Sequence, residues 1–320
     1  MIKIHEELKT KIQSIPELPG IYKMLDREGN IIYIGKSISL RKRVRTYFAD
    51  KPKWRKVKKM QRVIYDIEYI VTDTHLEARL LECEMIKSIM PIFNSQFKND
   101  KGYVYLKIRD YNIFNPISIV YDYEEGVYGP FRRRFRVLSI LESFKNLYPI
   151  LKTGRSYSFN YDVFPLKMDR ETFTLNKKSL EDIFSKDPEF ILFLQALEQE
   201  MSLASMDLKF ETAMVYRDVI NDLNYLKGSL KEDKNLFLKK IFLNIPLEKG
   251  SKFFLISRGK ILDKKTLLKY DQRDIDDFIK EASSVKRVCE NKFEKSSLDF
   301  RNIIYSEVRN LPPELVTIVD

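Results

Sequence analysis

Short apolar runs broken by turn residues open the chain, and stripes with a period near 3.6 follow them. Ile21–Leu25 and Ile31–Ile34 read as strands around Asp26-Arg27-Glu28-Gly29-Asn30, a turn-rich stretch suited to a hairpin. Ser37 or Ser39 can cap a helix over Leu40–Phe48, with Leu40, Val44, Tyr47 and Phe48 on its apolar side. Asp66–Thr72 reads as a third strand, with Ile67, Tyr69 and Val71 alternating against Glu68, Ile70 and Thr72. Thr74 then caps a long helix running to Met90 and stopped by Pro91. The order β-β-α-β-α, ending near Asn94, predicts a compact α/β module of about 100 residues.

Beyond it, Tyr103–Ile108 and Ile117–Tyr123 read as strands, Tyr128-Gly129-Pro130 as a turn and Val137–Leu147 as a helix. Thr153–Lys178 is polar and is read as a linker. From Pro188 to Leu226 two apolar stripes appear, one through Leu192, Ala196, Gln199 and Leu203, the other through Ala213, Tyr216, Ile220 and Leu223. Asp207 separates them, which predicts a helical hairpin ended by Gly228. Such a hairpin has one apolar face too many to stand alone, so it packs on this chain, on a copy or on a partner's hairpin. Residues 232–320 read as a β-hairpin, Phe253–Ser257 with Ile261–Leu268, and charged helices including Asp274–Ser284. The expected divisions are 1–99, 100–187, 188–230 and 231–320, the last without a recognisable chemical motif.

Composition adds a partner class. Between Lys36 and Arg62 stand twelve Lys or Arg residues against one acid, Asp50; this matches the whole net charge of +11, so the rest of the chain sums to zero. A local basic stripe fits a polyanion, because neutralising phosphates releases condensed counterions. Tyr47, Phe48 and Trp54 within the stripe favour nucleic acid over a merely solvated basic face. Arg41, Lys42 and Arg43 open a helix whose dipole they oppose, a cost that points to a contact. Arg45, Lys53, Arg55, Lys56, Lys58 and Lys59 continue the stripe, and Arg132, Arg133, Arg134 and Arg136 form a second cluster. No run approaches the roughly 18 apolar residues of a membrane helix, and the first twenty residues contain no secretory apolar core. Cys83 and Cys289 stand far apart, so neither a disulfide framework nor a cysteine metal knuckle is indicated. The expectation is a cytoplasmic protein that binds DNA and no membrane.

Glu82 is the strongest chemical candidate. Ala78, Met85, Ile86 and Ile89 lie at helical offsets −4, +3, +4 and +7, so this carboxylate projects from the apolar stripe. Burial there demands a cation or hydrogen-bond partners. A salt bridge is the common solution, but the two upstream aromatic-glycine strands shift the balance to a divalent metal, which needs only one or two carboxylates. Those strands carry Gly20-Ile21-Tyr22 and Tyr33-Ile34-Gly35. A phenol is a poor base at neutral pH unless a cation such as Lys36 or a metal lowers its pKa. Arg43, at the edge of the apolar side of its helix, suits a scissile phosphate; Arg41 is nearly as well placed, and spacing does not decide between them. Asn94 can bond a phosphate or simply the backbone.

These residues resemble the GIY-YIG nuclease family, and within it the N-terminal half of the UvrC type. The likeness rests on LPGIYKMLD and IIYIGKSISLRKRVRTYF within Leu18–Phe48, HLEARLLECEMIK at His75–Lys87 and PIFN at Pro91–Asn94. It implies an α/β (α+β) fold with a small antiparallel sheet flanked by helices, Tyr33 as general base, Glu82 holding Mg²⁺ or Mn²⁺, and Arg43 with Lys36 acting on phosphate and base. Tyr22, Tyr47 and Asn94 match the remaining functional positions. Tyr128-Gly129-Pro130-Phe131 and Tyr148-Pro149-Ile150 resemble the middle of UvrC. Met201–Ile220 is similar to its UVR motif, which implies docking on a UvrB-like partner through Leu208, Phe210, Glu211, Ala213, Tyr216, Arg217 and Ile220. Two departures accompany the likeness. Ile150-Leu151-Lys152-Thr153 stands where a cysteine cluster begins in UvrC, and the RNase H-like nuclease and helix-hairpin-helix repeats are not found, as in the short Cho-like homologues. The implied function is one incision, 3′ by analogy, beside a lesion in double-stranded DNA during nucleotide-excision repair. The rival readings are a DNA- and UvrB-binding adaptor that does not cut, and a mobile-element or restriction nuclease on the same fold.

Overall fold

The computed structural model describes residues 6–49, 55–98, 102–237, 239–284 and 295–319. They form two compact units, one of residues 1–100 with 236–320 and one of 101–235.

In the first unit, α1 (Glu6–Ser14) precedes β1 (Gly20–Leu25) and β2 (Ile31–Ser37), which are followed by α2 (Leu40–Tyr47), α3 (Arg55–Met60), β3 (Asp66–Val71) and α4 (His75–Ile89). The sheet order is β2-β1-β3, antiparallel throughout. The hairpin turn closes on Asp26, whose Oδ1 accepts from the amides of Glu28 and Asn30, while Gly29 takes a left-handed φ of 83°. Helices α1, α2 and α3 bury Leu8, Ile12, Leu40, Val44, Val57 and Met60 in one core with Tyr22, Met24, Ile32, Tyr47 and Ile67. The short helices α1 and α3 were not expected.

Helix α4 begins with a capping box: Thr74 Oγ1 accepts from the Glu77 amide and Glu77 Oε2 accepts from the Thr74 amide. It ends at Met90 in the left-handed conformation, just before Pro91. At the start of α2, Ser39 is the N-cap residue, yet its hydroxyl caps nothing; Ser37 Oγ accepts from the Ser39 amide instead.

The second unit holds β4 (Tyr103–Ile108), β5 (Ile117–Val120) and β6 (Val127–Arg132) in the order β5-β4-β6, then α5 (Arg134–Lys145), the small ladder β7 (Leu151–Thr153) with β8 (Ser156–Ser158), and the helices α6 (Arg170–Ser185), α7 (Asp187–Met206) and α8 (Phe210–Phe237). Three expectations are corrected here. Tyr128-Gly129-Pro130 lies inside β6 rather than in a turn, where the β4–β6 register slips between Val104 and Leu106. The supposed linker contains β8 and most of α6. Helix α6 is capped by Asp169, whose side chain accepts from the Thr172 amide, and buries Phe173, Leu180, Ile183 and Phe184. Its polar look comes partly from Asn176 and Ser179, which are buried because they accept from the amides of Ile150 and Lys152. Gly228 does not end α8; one glycine costs only about 1 kcal/mol in a helix interior, and the flanking residues are good helix formers.

The chain then returns to the first unit with β9 (Lys240–Pro246), β10 (Ser251–Ser257), β11 (Lys260–Leu267), α9 (Gln272–Ser284), α10 (Lys295–Asn310) and β12 (Val316–Val319). These strands form an antiparallel sheet ordered β11-β10-β9-β12. Leu76 and Cys83 of α4 share a core with Ile241, Leu243, Phe254 and Ile256 of this sheet and with Ile303, Ile304 and Val308 of α10. The rear of α4 is therefore built on the C-terminal region. Among the described residues no helix is long and apolar enough to cross a membrane.

Candidate active site

The strand register sets the site. Tyr22 pairs with Gly35, and a Cβ at position 35 would stand 2.3 Å from the Tyr22 hydroxyl. Glycine is required there so that the phenol can lie across β2. Tyr33, two residues back on the same face, sits opposite Met24. Tyr47 from α2 completes a triangle of rings whose centroids are 5.7–6.1 Å apart. Their hydroxyls form a chain, Tyr22 to Tyr47 at 2.8 Å and Tyr47 donating to Tyr33 at 3.3 Å. Arg43 joins at its middle member, with Nη2 3.4 Å from the Tyr47 hydroxyl and the guanidinium 5.3 Å from that ring's centre.

Glu82 is half-buried, and its Oε1 accepts from the backbone amide of Lys36 at 3.1 Å. Among the described residues no Lys or Arg comes within ion-pair distance of it. Burial therefore dominates and pushes its carboxyl up to about 7, against the opposing pull of Lys36, Arg79 and Arg43. Burial also raises the Tyr33 phenol well above its usual range; Tyr47 and the Glu82 carboxylate add to the rise, and Arg43 opposes it. Burial raises Tyr22 too, with Tyr33 and Tyr47 adding to the rise and Arg43 opposing it. Lys36 is lowered, first by burial and then by repulsion from Arg79. A carboxylate with one hydrogen bond, beside a phenol that resists ionisation, suits a divalent cation in chemistry and charge. One carboxylate, with water and substrate phosphate completing the shell, is an ordinary Mg²⁺ donor set.

Asn94 is buried, and its side chain clips β2: Oδ1 accepts from the Ile34 amide at 2.9 Å and Nδ2 donates to the Ile34 carbonyl at 2.8 Å. Its amide thus fixes the strand between Tyr33 and Gly35. The two candidate arginines part company. Arg41 spends its guanidinium on the Ile15 carbonyl and on Glu17, whereas Arg43 faces the tyrosines. Lys42 is exposed and paired with Glu17. Arg45, Arg55, Lys58 and Lys59 are exposed, and Lys56 lies 5.0 Å from the centre of the Tyr33 ring. Lys53 and Trp54 lie outside the described residues.

Three residues not singled out from the sequence touch this site. His75 Nε2 is 3.1 Å from Lys36 Nζ, and His75 Nδ1 faces Glu307 Oε1 at 3.6 Å. Arg79 Nη1 meets Glu307 Oε2 at 2.6 Å. Burial works against the Glu307 carboxylate, but His75 and Arg79 outweigh it and hold its pKa low. His75 and Arg79 stand on the helix that carries Glu82. Glu307 comes from α10 and has no local signal at all.

Residues 18–95 match the family described as the UvrC-like GIY-YIG domain. This part of the chain is a UvrC-like GIY-YIG domain. Among curated proteins, the UvrABC system protein C of Acetivibrio thermocellus is 30% identical over 303 residues, 87% of this chain and 47% of that protein. The UvrABC system protein C of Clostridioides difficile is 34% identical over 255 residues, 73% of this chain and 41% of that protein. The chain thus spans less than half the length of these relatives. A solved structure, the GIY-YIG N-terminal endonuclease domain of UvrC from Thermotoga maritima bound to magnesium, is 36% identical and covers 28% of this chain and 98% of that one, with a TM-score of 0.26. Within the UvrC-like domain, Tyr22, Tyr47, Tyr33 and Arg43 are linked through their polar ends, Glu82 meets β2 at the Lys36 amide, and Asn94 clips β2 at Ile34.

In the other unit, the residues expected to meet a partner divide into two sets. Tyr216 is buried, its hydroxyl accepting from the Tyr161 amide, and Ala213 and Ile220 pack against the unit's own core. Leu208 and Phe210 are 74% and 59% exposed, Glu211 is exposed, and exposed Arg217 pairs with Asp218. Leu203, Met206 and Met214 widen the exposed apolar set around the α7–α8 turn.

Proposed function

We propose that the chain is a metal-dependent DNA endonuclease of nucleotide-excision repair, making one incision, 3′ by analogy, beside a lesion in double-stranded DNA, and recruited by a UvrB-like protein. The observation that carries this reading is Glu82, a half-buried carboxylate with one backbone hydrogen bond, within electrostatic reach of Arg43 and of Tyr33, the last of three linked tyrosines. Mg²⁺ or Mn²⁺ held by Glu82 would supply Lewis acidity for the departing oxygen and lower the cost of ionising a neighbouring phenol. Arg43 and Lys36 hold the scissile phosphate and offset its developing charge. Tyr33 takes the proton of the attacking water, and the hydrogen bond from Tyr47 steadies the oxygen that receives it. Gly35 lets Tyr22 anchor that hydroxyl chain, and Asn94 keeps β2 in register beneath it. The exposed basic side chains of Arg45, Arg55, Lys58 and Lys59 follow the DNA backbone. Exposed Leu203, Met206, Leu208, Phe210 and Met214 present the partner's docking surface.

The test is a nick map on lesion-bearing duplex with Mg²⁺ and the UvrB-like partner, for the wild type, Glu82→Ala and Tyr33→Phe. Single 3′ nicks that both substitutions remove support the proposal. Lesion binding without nicks points to the adaptor, and partner-independent cutting at a fixed sequence points to a mobile-element or restriction nuclease.

A further inference from the structure

Arg79 lies three residues before Glu82 on α4, the spacing at which side chains of a helix meet. An arginine there is within reach of an ion pair with the glutamate, which would occupy the carboxylate a cation needs. Arg79 does not form it: its guanidinium turns to Glu307 on α10, at 2.6 Å. Both partners are mostly shielded, with side chains 17% and 13% exposed, so this pair is screened little by water. The other Glu307 oxygen faces His75 Nδ1, whose Nε2 faces the Lys36 ammonium at 3.1 Å. An ammonium only donates, so Nε2 must accept, which puts the imidazole proton on Nδ1, on the side of the carboxylate. One glutamate thus draws a competing cation off Glu82 and orients the histidine that Lys36 leans on.

We propose that Glu307, from the C-terminal region, is a positioning residue of the nuclease site: it holds Arg79 away from Glu82 and fixes His75 as the acceptor that aims Lys36. This inference rests on the nuclease reading and gives residues 295–310 a part in it. The arrangement has two arms. Loss of Glu307 releases Arg79 onto Glu82, which weakens cation binding. Loss of His75 frees Lys36, which slows turnover and leaves the Glu82 carboxylate as it was. Supporting residues of this kind are typically worth about ten- to hundredfold in metal affinity or rate.

The experiment uses the full chain and two readouts, calorimetric Mn²⁺ binding and nicking kinetics. Glu307→Ala is expected to weaken Mn²⁺ binding by about tenfold or more, and adding Arg79→Ala to that variant is expected to restore it. Glu307→Gln, which keeps an acceptor for Arg79, should retain most of the affinity. His75→Ala is expected to lower kcat with Mn²⁺ affinity and KM for DNA unchanged. Wild-type affinity and kcat in Glu307→Ala would overturn the proposal. So would a loss that Arg79→Ala does not repair, accompanied by a matching fall in Tm, which would mark Glu307 as a packing residue only. A wild-type chain that binds no Mn²⁺ and makes no nicks would instead sink the nuclease reading itself, and this inference with it.

Discussion

Glu82 in the first unit and Glu189 in the second have the same kinds of neighbours, a lysine and a tyrosine, and opposite states. Glu189, in the first turn of α7, is bonded by the Lys152 ammonium and by the Tyr157 hydroxyl at 2.6 Å. Those two bonds hold its carboxyl below the usual range. Glu82 receives only a backbone amide from Lys36, whose ammonium turns instead to His75, and burial lifts its carboxyl to about 7. Residue types alone therefore do not make a site. A completed set of partners makes a structural ion pair, and an incomplete set leaves a carboxylate with capacity for a ligand.

Activity separates the two carboxylates most widely. Glu82→Ala should cost the nicking rate about 10³-fold or more, several kcal/mol of transition-state stabilisation, whereas Glu189→Gln should leave the rate unchanged. Next in size is Tyr33→Phe, expected to lose about 10²–10⁴-fold in rate with KM for DNA preserved; an unchanged rate would remove Tyr33 as the base.

A stability measurement sharpens the same contrast. The folded pKa of Glu82 lies above the unfolded value of 4.5, so the native state binds more protons between those values and loses stability as pH rises from about 4.5 to about 7. Without divalent ions, Glu82→Gln should therefore be more stable than the wild type at pH 8, by on the order of 3 kcal/mol, and the gap should close at pH 4. Denaturant unfolding at both pH values checks this. The smallest effect belongs to Glu189. Its folded pKa is depressed, so its contribution is present at neutral pH and fades as pH falls through that value. Glu189→Gln should lower Tm slightly at pH 7 and not at all once the wild-type carboxylate is protonated.

How much was legible in the sequence follows from how local each signal is. The hairpin, the Thr74 cap, the Pro91 stop and the inward carboxylate are each written in a short local stretch of sequence, and the structure has them at those places. Arg43 and Arg41 could not be separated by spacing, because what separates them is the chain before β1: Ile15 and Glu17 engage Arg41. Helix α6 was hidden by Asn176 and Ser179, polar residues whose burial depends on amides 26 and 27 residues away. Glu307 was illegible, since its partner Arg79 lies 228 residues earlier and only the packing of α10 on α4 brings them together.

The nuclease reading requires that Glu82 hold a divalent cation in this site. Calorimetric titration of the wild type and Glu82→Gln with Mn²⁺ at pH 8 tests it most directly, because the wild-type carboxylate is then ionised and the amide is not a comparable donor. One saturable site in the wild type, absent from Glu82→Gln while the fold is retained, is the predicted result. Equal binding by the two proteins would contradict it.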